Sequence, residues 1–227
     1  MIKFDIPANL ADRYDICIKR VPIGNWVELE ILAVRDPDIL IDELDPEQYD
    51  EDERLPYWAE IWPAAIGLGQ HLFEYPLPVG SKLLELGCGL GVAGIAAAAA
   101  GQEVVACDYE KDAIAFSRYN ARLNSQEKSI SFRFLDWRSP NLNQKFHIVI
   151  GSDIIYETPN HYPIQKLLDQ TLKTGGMFLT SDPGRRAAES FVKSMIDHGY
   201  RHSKQSRKIK YEKSESKIIV HRFIKTE

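Results

Sequence analysis

Apolar and polar residues alternate from Tyr14 to Val34 on both sides of Gly24-Asn25, which predicts a β-hairpin closed by a tight turn. The alternation stops at Asp36. From there to Arg54 the chain carries Asp36, Asp38, Asp42, Glu43, Asp45, Glu47, Asp50, Glu51, Asp52 and Glu53, and it reads as a solvated acidic connection or a lid. At Trp62 the period becomes helical: Pro63 suits a first helical turn, and Ile66, Leu68, Leu72 and Phe73 cover one face. Beyond Lys82, short apolar runs and helical patterns take turns. Strands are expected over Lys82–Leu86, Glu103–Cys107, Ile130–Leu135, Phe146–Gly151 and Met177–Thr180, with helices over Val92–Ala100, Glu110–Asn124, Pro163–Lys173 and Gly184–His198. Gly199 stands where a helix C-cap glycine belongs. Two helix-free strand patterns, Arg201–Lys210 and Lys217–Ile224, end the chain. This order predicts an α/β fold, a Rossmann-like seven-stranded mostly parallel sheet with helices on both faces. An antiparallel C-terminal strand pair and an N-terminal β-hairpin extension complete it. The expected division is 1–55 for the hairpin and acidic connection and 56–227 for the main domain.

Composition narrows the class. At 227 residues and 44% hydrophobic, the chain can bury one sizeable core. A net charge of -5 makes nucleic acid a poor default partner. The basic stretch Arg201–Lys213 reads as a solvated strand and hairpin rather than a nucleic-acid patch. Cys17, Cys88 and Cys107 are odd in number and widely spaced, so neither a disulfide framework nor a metal site is expected, and the six histidines show no ligand spacing. Met1–Leu10 lacks the apolar core of a signal peptide, and the longest apolar run, Val92–Ala100, is too short to span a bilayer. The expectation is a soluble, cytoplasmic, monomeric protein that needs no membrane.

The chemistry gathers where strands end. Leu84-Glu85-Leu86-Gly87-Cys88-Gly89-Leu90-Gly91 joins the first strand of the alternation to its first helix, at the sheet edge where open α/β folds bind ligands. Its glycines admit a close backbone approach, and the helix beginning near Gly91 offers unpaired N–H groups. Glu85 ends an apolar strand, where a carboxylate needs a partner; a cofactor α-amino group, reached directly or through water, would serve. Asp108 follows the second strand and is placed to accept hydrogen bonds from a ribose diol. Gly89-Leu90-Gly91-Val92-Ala93-Gly94 also spells G-x-G-x-x-G, with Asp108 near the spacing of a dinucleotide fingerprint, so NAD stays open on this motif alone. Glu85 opposes it, because a pyrophosphate is repelled by a nearby carboxylate. Leu135-Asp136-Trp137 follows the third strand: Asp136 suits an adenine amino group and Trp137 a purine face, with core packing as the alternative for Trp137. Ser152-Asp153-Ile154-Ile155-Tyr156-Glu157 follows the fourth strand and brings Asp153 and Tyr156 to the same edge.

On these residues the chain resembles a known family. Glu85-x-Gly87-x-Gly89-x-Gly91 with Asp108 is similar to the S-adenosylmethionine (SAM) signature of class I methyltransferases. Trp62-Pro63-Ala64-Ala65, Leu135-Asp136-Trp137 and Asp153-Ile154-Ile155-Tyr156 resemble family 16, the seven-β-strand protein-lysine methyltransferases. Pro56-Tyr57-Trp58-Ala59-Glu60-Ile61-Trp62-Pro63 looks most like the branch that methylates the electron-transfer flavoprotein β-subunit. The resemblance spans about Pro56 to Gly199. It implies SAM as cofactor, a protein bearing the acceptor lysine as substrate, and methyl transfer centred on Asp153 and Tyr156. The cofactor residues it implies are Trp62, Glu85, Gly87, Cys88, Gly89, Gly91, Asp108, Tyr109, Asp136, Trp137 and Ser152. Within it, Asp153 is expected to orient an incoming ammonium through its charge, while Tyr156 and Trp58 shape the acceptor channel. Alternatives are a small-molecule N-methyltransferase with a nicotinamide-like acceptor and, further off, a dinucleotide-dependent oxidoreductase or a SAM-binding module without catalysis.

Overall fold

A computed structural model describes residues 6–42, 55–78 and 80–226. The seven-stranded sheet is built from β3 (Lys82–Leu86), β4 (Glu103–Asp108), β5 (Ile130–Phe134), β6 (Phe146–Ser152), β7 (Leu172–Asp182), β8 (Tyr200–Tyr211) and β9 (Ser214–Lys225). Its order is β5-β4-β3-β6-β7-β9-β8. The strands from β5 to β7 are parallel, while β9 runs antiparallel to both β7 and β8. Chain order reverses between β3 and β6, which makes the carboxyl edge there the natural ligand crevice.

Period-two burial divides the sheet into two apolar faces. Leu83, Val104, Ile148 and Ile150 pack with α3 (Pro63–Glu74), α4 (Val92–Ala99) and α5 (Lys111–Leu123). Leu84, Leu86, Val149 and Phe178 pack on the other face with α6 (His161–Thr171) and α7 (Arg186–Asp197). The alanine run of α4 is buried, which lets that helix sit close to the sheet.

The hairpin is β1 (Ile16–Ile23) paired antiparallel with β2 (Val27–Val34), as its alternation predicts. A short helix α1 (Ala8–Ala11) precedes it, and α2 (Asp38–Asp42) follows. The hairpin is no appended unit, because Val21, Ile23, Leu29 and Ile31 belong to the same buried cluster as α3 and α4. Asn120 of α5 and Asn124 at its C-cap tie it down. Asn120 Oδ1 accepts from Leu32 N at 2.7 Å while its Nδ2 donates to Leu32 O at 3.1 Å, and Asn124 repeats the pattern on Glu30 at 3.0 and 2.7 Å. Most of the acidic stretch, residues 43–54, lies outside the described residues, and so does the lid considered for it.

Element ends shift modestly from the sequence reading, and the largest correction is β7. Its expected span of Met177–Thr180 grows to Leu172–Asp182, since the strand leaves α6 directly at Thr171 and Leu172 already pairs with Phe146. α6 accordingly stops short of Lys173 and starts at His161, with Pro163 in its first turn, where a missing N–H costs nothing. Among the described residues no helix is long and apolar enough to cross a membrane.

Candidate active site

Loops leaving the carboxyl ends of β3, β4, β5, β6 and β7, with the segment before α3, enclose a cleft of about 300 Å³. Trp62, Gly87, Cys88, Gly89, Asp108, Tyr109, Trp137, Ser152, Asp153 and Tyr156 line it, so the structure brings together most of the residues singled out by sequence. Trp58 lines it as well.

The glycine turn makes one wall. Gly87 adopts φ 63°, and a Cβ there would stand 3.1 Å from Ile154 Cγ2 and 3.4 Å from the Trp137 ring, so a side chain would fill the cradle. Asp108 is 5% exposed. Its Oδ2 accepts from Gly89 N at 2.9 Å and its Oδ1 from Glu110 N at 3.0 Å. These bonds oppose the burial that pushes its pKa above the ordinary carboxylate value. A carboxylate has about four acceptor sites, so Asp108, which lines the cleft, keeps acceptor capacity beyond these bonds. Trp137 Nε1–H donates to Asn160 Oδ1 at 3.3 Å, and the ring stands edge-on to Tyr109.

Three expected cofactor residues lie elsewhere. Glu85 is 1% exposed and sits beneath the first turn of α4, where its Oε1 accepts from Gly94 N at 2.9 Å. It is not among the residues lining the cleft. Burial raises its pKa to about 8, the Gly94 bond acting against the shift and the Asp108 charge adding to it, and its Oε2 has no partner. Glu85 accordingly serves as an internal cap of α4, and Gly94 leaves the room it needs, since a Cβ there would collide with Oε2. Gly91 also lies outside the lining; as the N-cap of α4 at φ 88°, it shapes the turn. Asp136 is turned away, with Arg138 Nε and Nη2 donating to its carboxylate at 2.9, 3.0 and 2.7 Å. An Arg two residues on competes for that carboxylate, and this decided its direction.

The opposite wall holds Asp153, at φ 52° and 8% exposed, with its N–H donating to Ser181 O at 2.7 Å. Its carboxylate does not stand alone. Arg185 Nε donates to Oδ1 and Nη2 to Oδ2, both at 2.7 Å, a bidentate pair. The Arg185 guanidinium carbon lies 5.8 Å from the Tyr156 ring centroid and 6.0 Å from that of Trp62. Tyr57 stands edge-on to both rings, and Trp62 Nε1–H donates to Tyr57 O at 2.9 Å. Burial, with nearby Glu157, keeps the Tyr156 phenol protonated well above its ordinary value.

Arg185 was missed in the sequence, although a signal existed. Asp182-Pro183-Gly184-Arg185 follows β7, and the strand-end rule that found Asp108 and Asp153 applies equally to this strand. Asp182 Oδ1 accepts from Gly184 N and Arg185 N at 2.7 and 2.9 Å, which turns the chain so that Arg185 faces Asp153. Among the described residues lining the cleft, the charged side chains are Glu60, Asp108, Glu110, Asp153 and Arg185. Four carboxylates against one guanidinium make a cavity that favours cationic ligands and disfavours a pyrophosphate.

A family model described as lysine methyltransferase matches residues 48–198. The electron transfer flavoprotein beta subunit lysine methyltransferase of Xenopus laevis is 31% identical over 137 residues, covering 57% of this chain and 53% of that protein. Protein N-lysine methyltransferase METTL21A of Xenopus tropicalis is 35% identical over 109 residues, covering 46% and 50%. The chain thus spans about half the length of the curated relatives it matches. In three dimensions it is similar to magnesium protoporphyrin IX methyltransferase (ChlM) from Synechocystis with bound SAM. The TM-score is 0.57 at 18% identity, covering 86% of this chain and 99% of that one, a likeness of fold.

Proposed function

The chain belongs to the lysine methyltransferase family, and from that premise we propose that it transfers a methyl group from SAM to a lysine side chain of a protein. One observation carries the reading: the cleft at the glycine turn is lined by four carboxylates and one guanidinium. That charge suits a sulfonium cofactor and an ammonium acceptor, and it disfavours the dinucleotide alternative. The cradle at Gly87 and the remaining lone pairs of Asp108 fit an adenosyl group.

SAM, when bound, supplies a methyl already activated by positive sulfur. The protein's part is placement and desolvation. Asp108 accepts from the ribose hydroxyls, and the Trp137 ring offers a face to the purine. Asp153 draws in the acceptor ammonium, while Tyr57, Trp62 and Tyr156 enclose its path. The amine must lose a proton before it is a nucleophile, which costs about 4.6 kcal/mol at pH 7 from a reference pKa of about 10.4. Aromatic burial beside a positive centre lowers that cost, with the proton leaving to solvent.

The test is labelling of a cell extract with tritiated SAM, followed by mass spectrometry. A discrete protein band carrying methyl-lysine is the expected result. Label passing wholly into small molecules would favour the nicotinamide-like alternative instead.

A further inference from the structure

Arg185 occupies the place where a substrate cation would be recognised. Its guanidinium is held by both oxygens of Asp153 and stands near the rings of Trp62 and Tyr156, with Tyr57 bracing both. A carboxylate floor with aromatic walls is a general seat for a cation. The occupant differs from the seat in exposure. The Asp153 side chain is 6% exposed, whereas that of Arg185 is 35% exposed. The Arg185 backbone is pinned by Asp182, while its partly exposed side chain has rotatable bonds of its own and open solvent on one side.

We propose that Arg185 is a resident plug of the acceptor-cation seat formed by Asp153, Tyr57, Trp62 and Tyr156, and that the substrate ammonium enters by exchanging with it. The inference rests on the lysine-methyltransferase reading for the identity of the substrate, but not for the existence of the seat. Exchange is favoured over addition because the Arg185 guanidinium already neutralises Asp153 and a second cation beside it is repelled. It solves two problems at once. Asp153 is never left buried and unpaired between turnovers, a state that is strongly disfavoured. A cation that cannot replace the bidentate pair is also refused, so weak amines do not reach the transfer site.

A positioning role is the competing account, in which Arg185 only holds Asp153 in place. The two accounts separate in binding. The probe is n-butylammonium, a lysine side-chain mimic, titrated at constant ionic strength and followed by tryptophan fluorescence. R185A is expected to bind it at least about 10-fold more tightly than the wild type, the scale of one charged hydrogen-bonded pair. R185K, which keeps the charge and loses the fork, is expected to gain about 3-fold. D153N placed on R185A should abolish the gain. Binding by R185A and R185K no tighter than wild type overturns the proposal, and R185K keeps the test available if R185A does not fold.

Non-denaturing guanidinium supplies the second arm. On R185A it should compete with n-butylammonium and inhibit methyl transfer. If it instead restored methyl transfer, Arg185 would be a positioning residue and the plug would be refuted. The binding arms use no methyl transfer, so failure to find methyl-lysine in labelled extract would sink the lysine reading without touching the seat.

Discussion

Asp108 and Asp153 end as buried carboxylates at the carboxyl edge of one sheet, yet they are held by different means. Asp108 is fixed by backbone N–H groups, from Glu110 two residues on and from Gly89 in the adjoining turn. Asp153 is fixed by a side chain from another strand end, Arg185, 32 residues away. On the proposed reading, the cofactor wall is therefore a property of local loop geometry. The acceptor wall is a property of an ion pair that has alternatives. The proposed plug would make the acceptor half exchangeable while backbone bonds hold the cofactor half.

The comparison breaks most visibly at Asp153. Asp153→Ala is expected to lower methyl transfer by about 100-fold or more, from loss of a desolvated charge contact at the acceptor. SAM affinity should change by less than about 3-fold. Steady-state kinetics alongside calorimetry read both, and turnover retained at saturating cofactor would remove Asp153 from the centre. Asp108→Asn tests the other wall. It should weaken SAM binding by about 10- to 100-fold, the range for a lost charged acceptor. Acceptor KM at saturating SAM should be unchanged, and a larger effect on acceptor KM than on SAM affinity would erase the division between walls.

Glu85 sharpens the claim that the cofactor wall is internally built. Its folded pKa of about 8 lies above the unfolded carboxylate value of about 4.3. The unfolded chain thus loses its proton first as pH rises, and Glu85 lowers stability progressively between about pH 4.3 and 8. Glu85→Gln keeps the acceptor for Gly94 N and should gain stability over wild type across that window, on the order of 2 kcal/mol at pH 7. Urea unfolding at pH 5 and pH 7.5 measures it, and a stability difference that does not grow with pH would return Glu85 to an ionised, ligand-facing role. The smallest effect is expected from Trp137→Phe. It removes the long indole hydrogen bond to Asn160 but keeps a ring face, so SAM affinity should fall by only about 3-fold. A loss of 100-fold by calorimetry would make the indole N–H itself a determinant of the site.

Residues that act through the backbone near them were legible one at a time. The turn from Leu84 to Gly91, Asp108 after its strand and the pair Asp153 and Tyr156 could be placed at one edge because a parallel strand's end is a fixed address. Glu85 and Asp136 stand outside the cleft lining for a shared reason. Each has a nearby competitor, the Gly94 N–H or the Arg138 guanidinium, and whether a carboxylate meets that competitor or the cleft depends on side-chain direction. The tie between hairpin and body was invisible too, since Asn120 and Asn124 look like ordinary helix-surface residues until β2 lies beside them.

The chain's pattern of apolar positions, turn glycines and strand-end carboxylates by itself determined the α/β architecture and the edge that carries the site, and its motifs carried the resemblance to the family. Those features depend on short-range periodicity and on a topology with few alternatives. Only the tertiary structure decided what each carboxylate faces. It turned Glu85 under a helix, gave Asp136 to Arg138 and delivered Arg185 to Asp153 from the end of a different strand. The Asp153–Arg185 pair is settled by a few ångströms between segments 32 residues apart, and the Asp136–Arg138 pair by side-chain direction, and no local pattern encodes either.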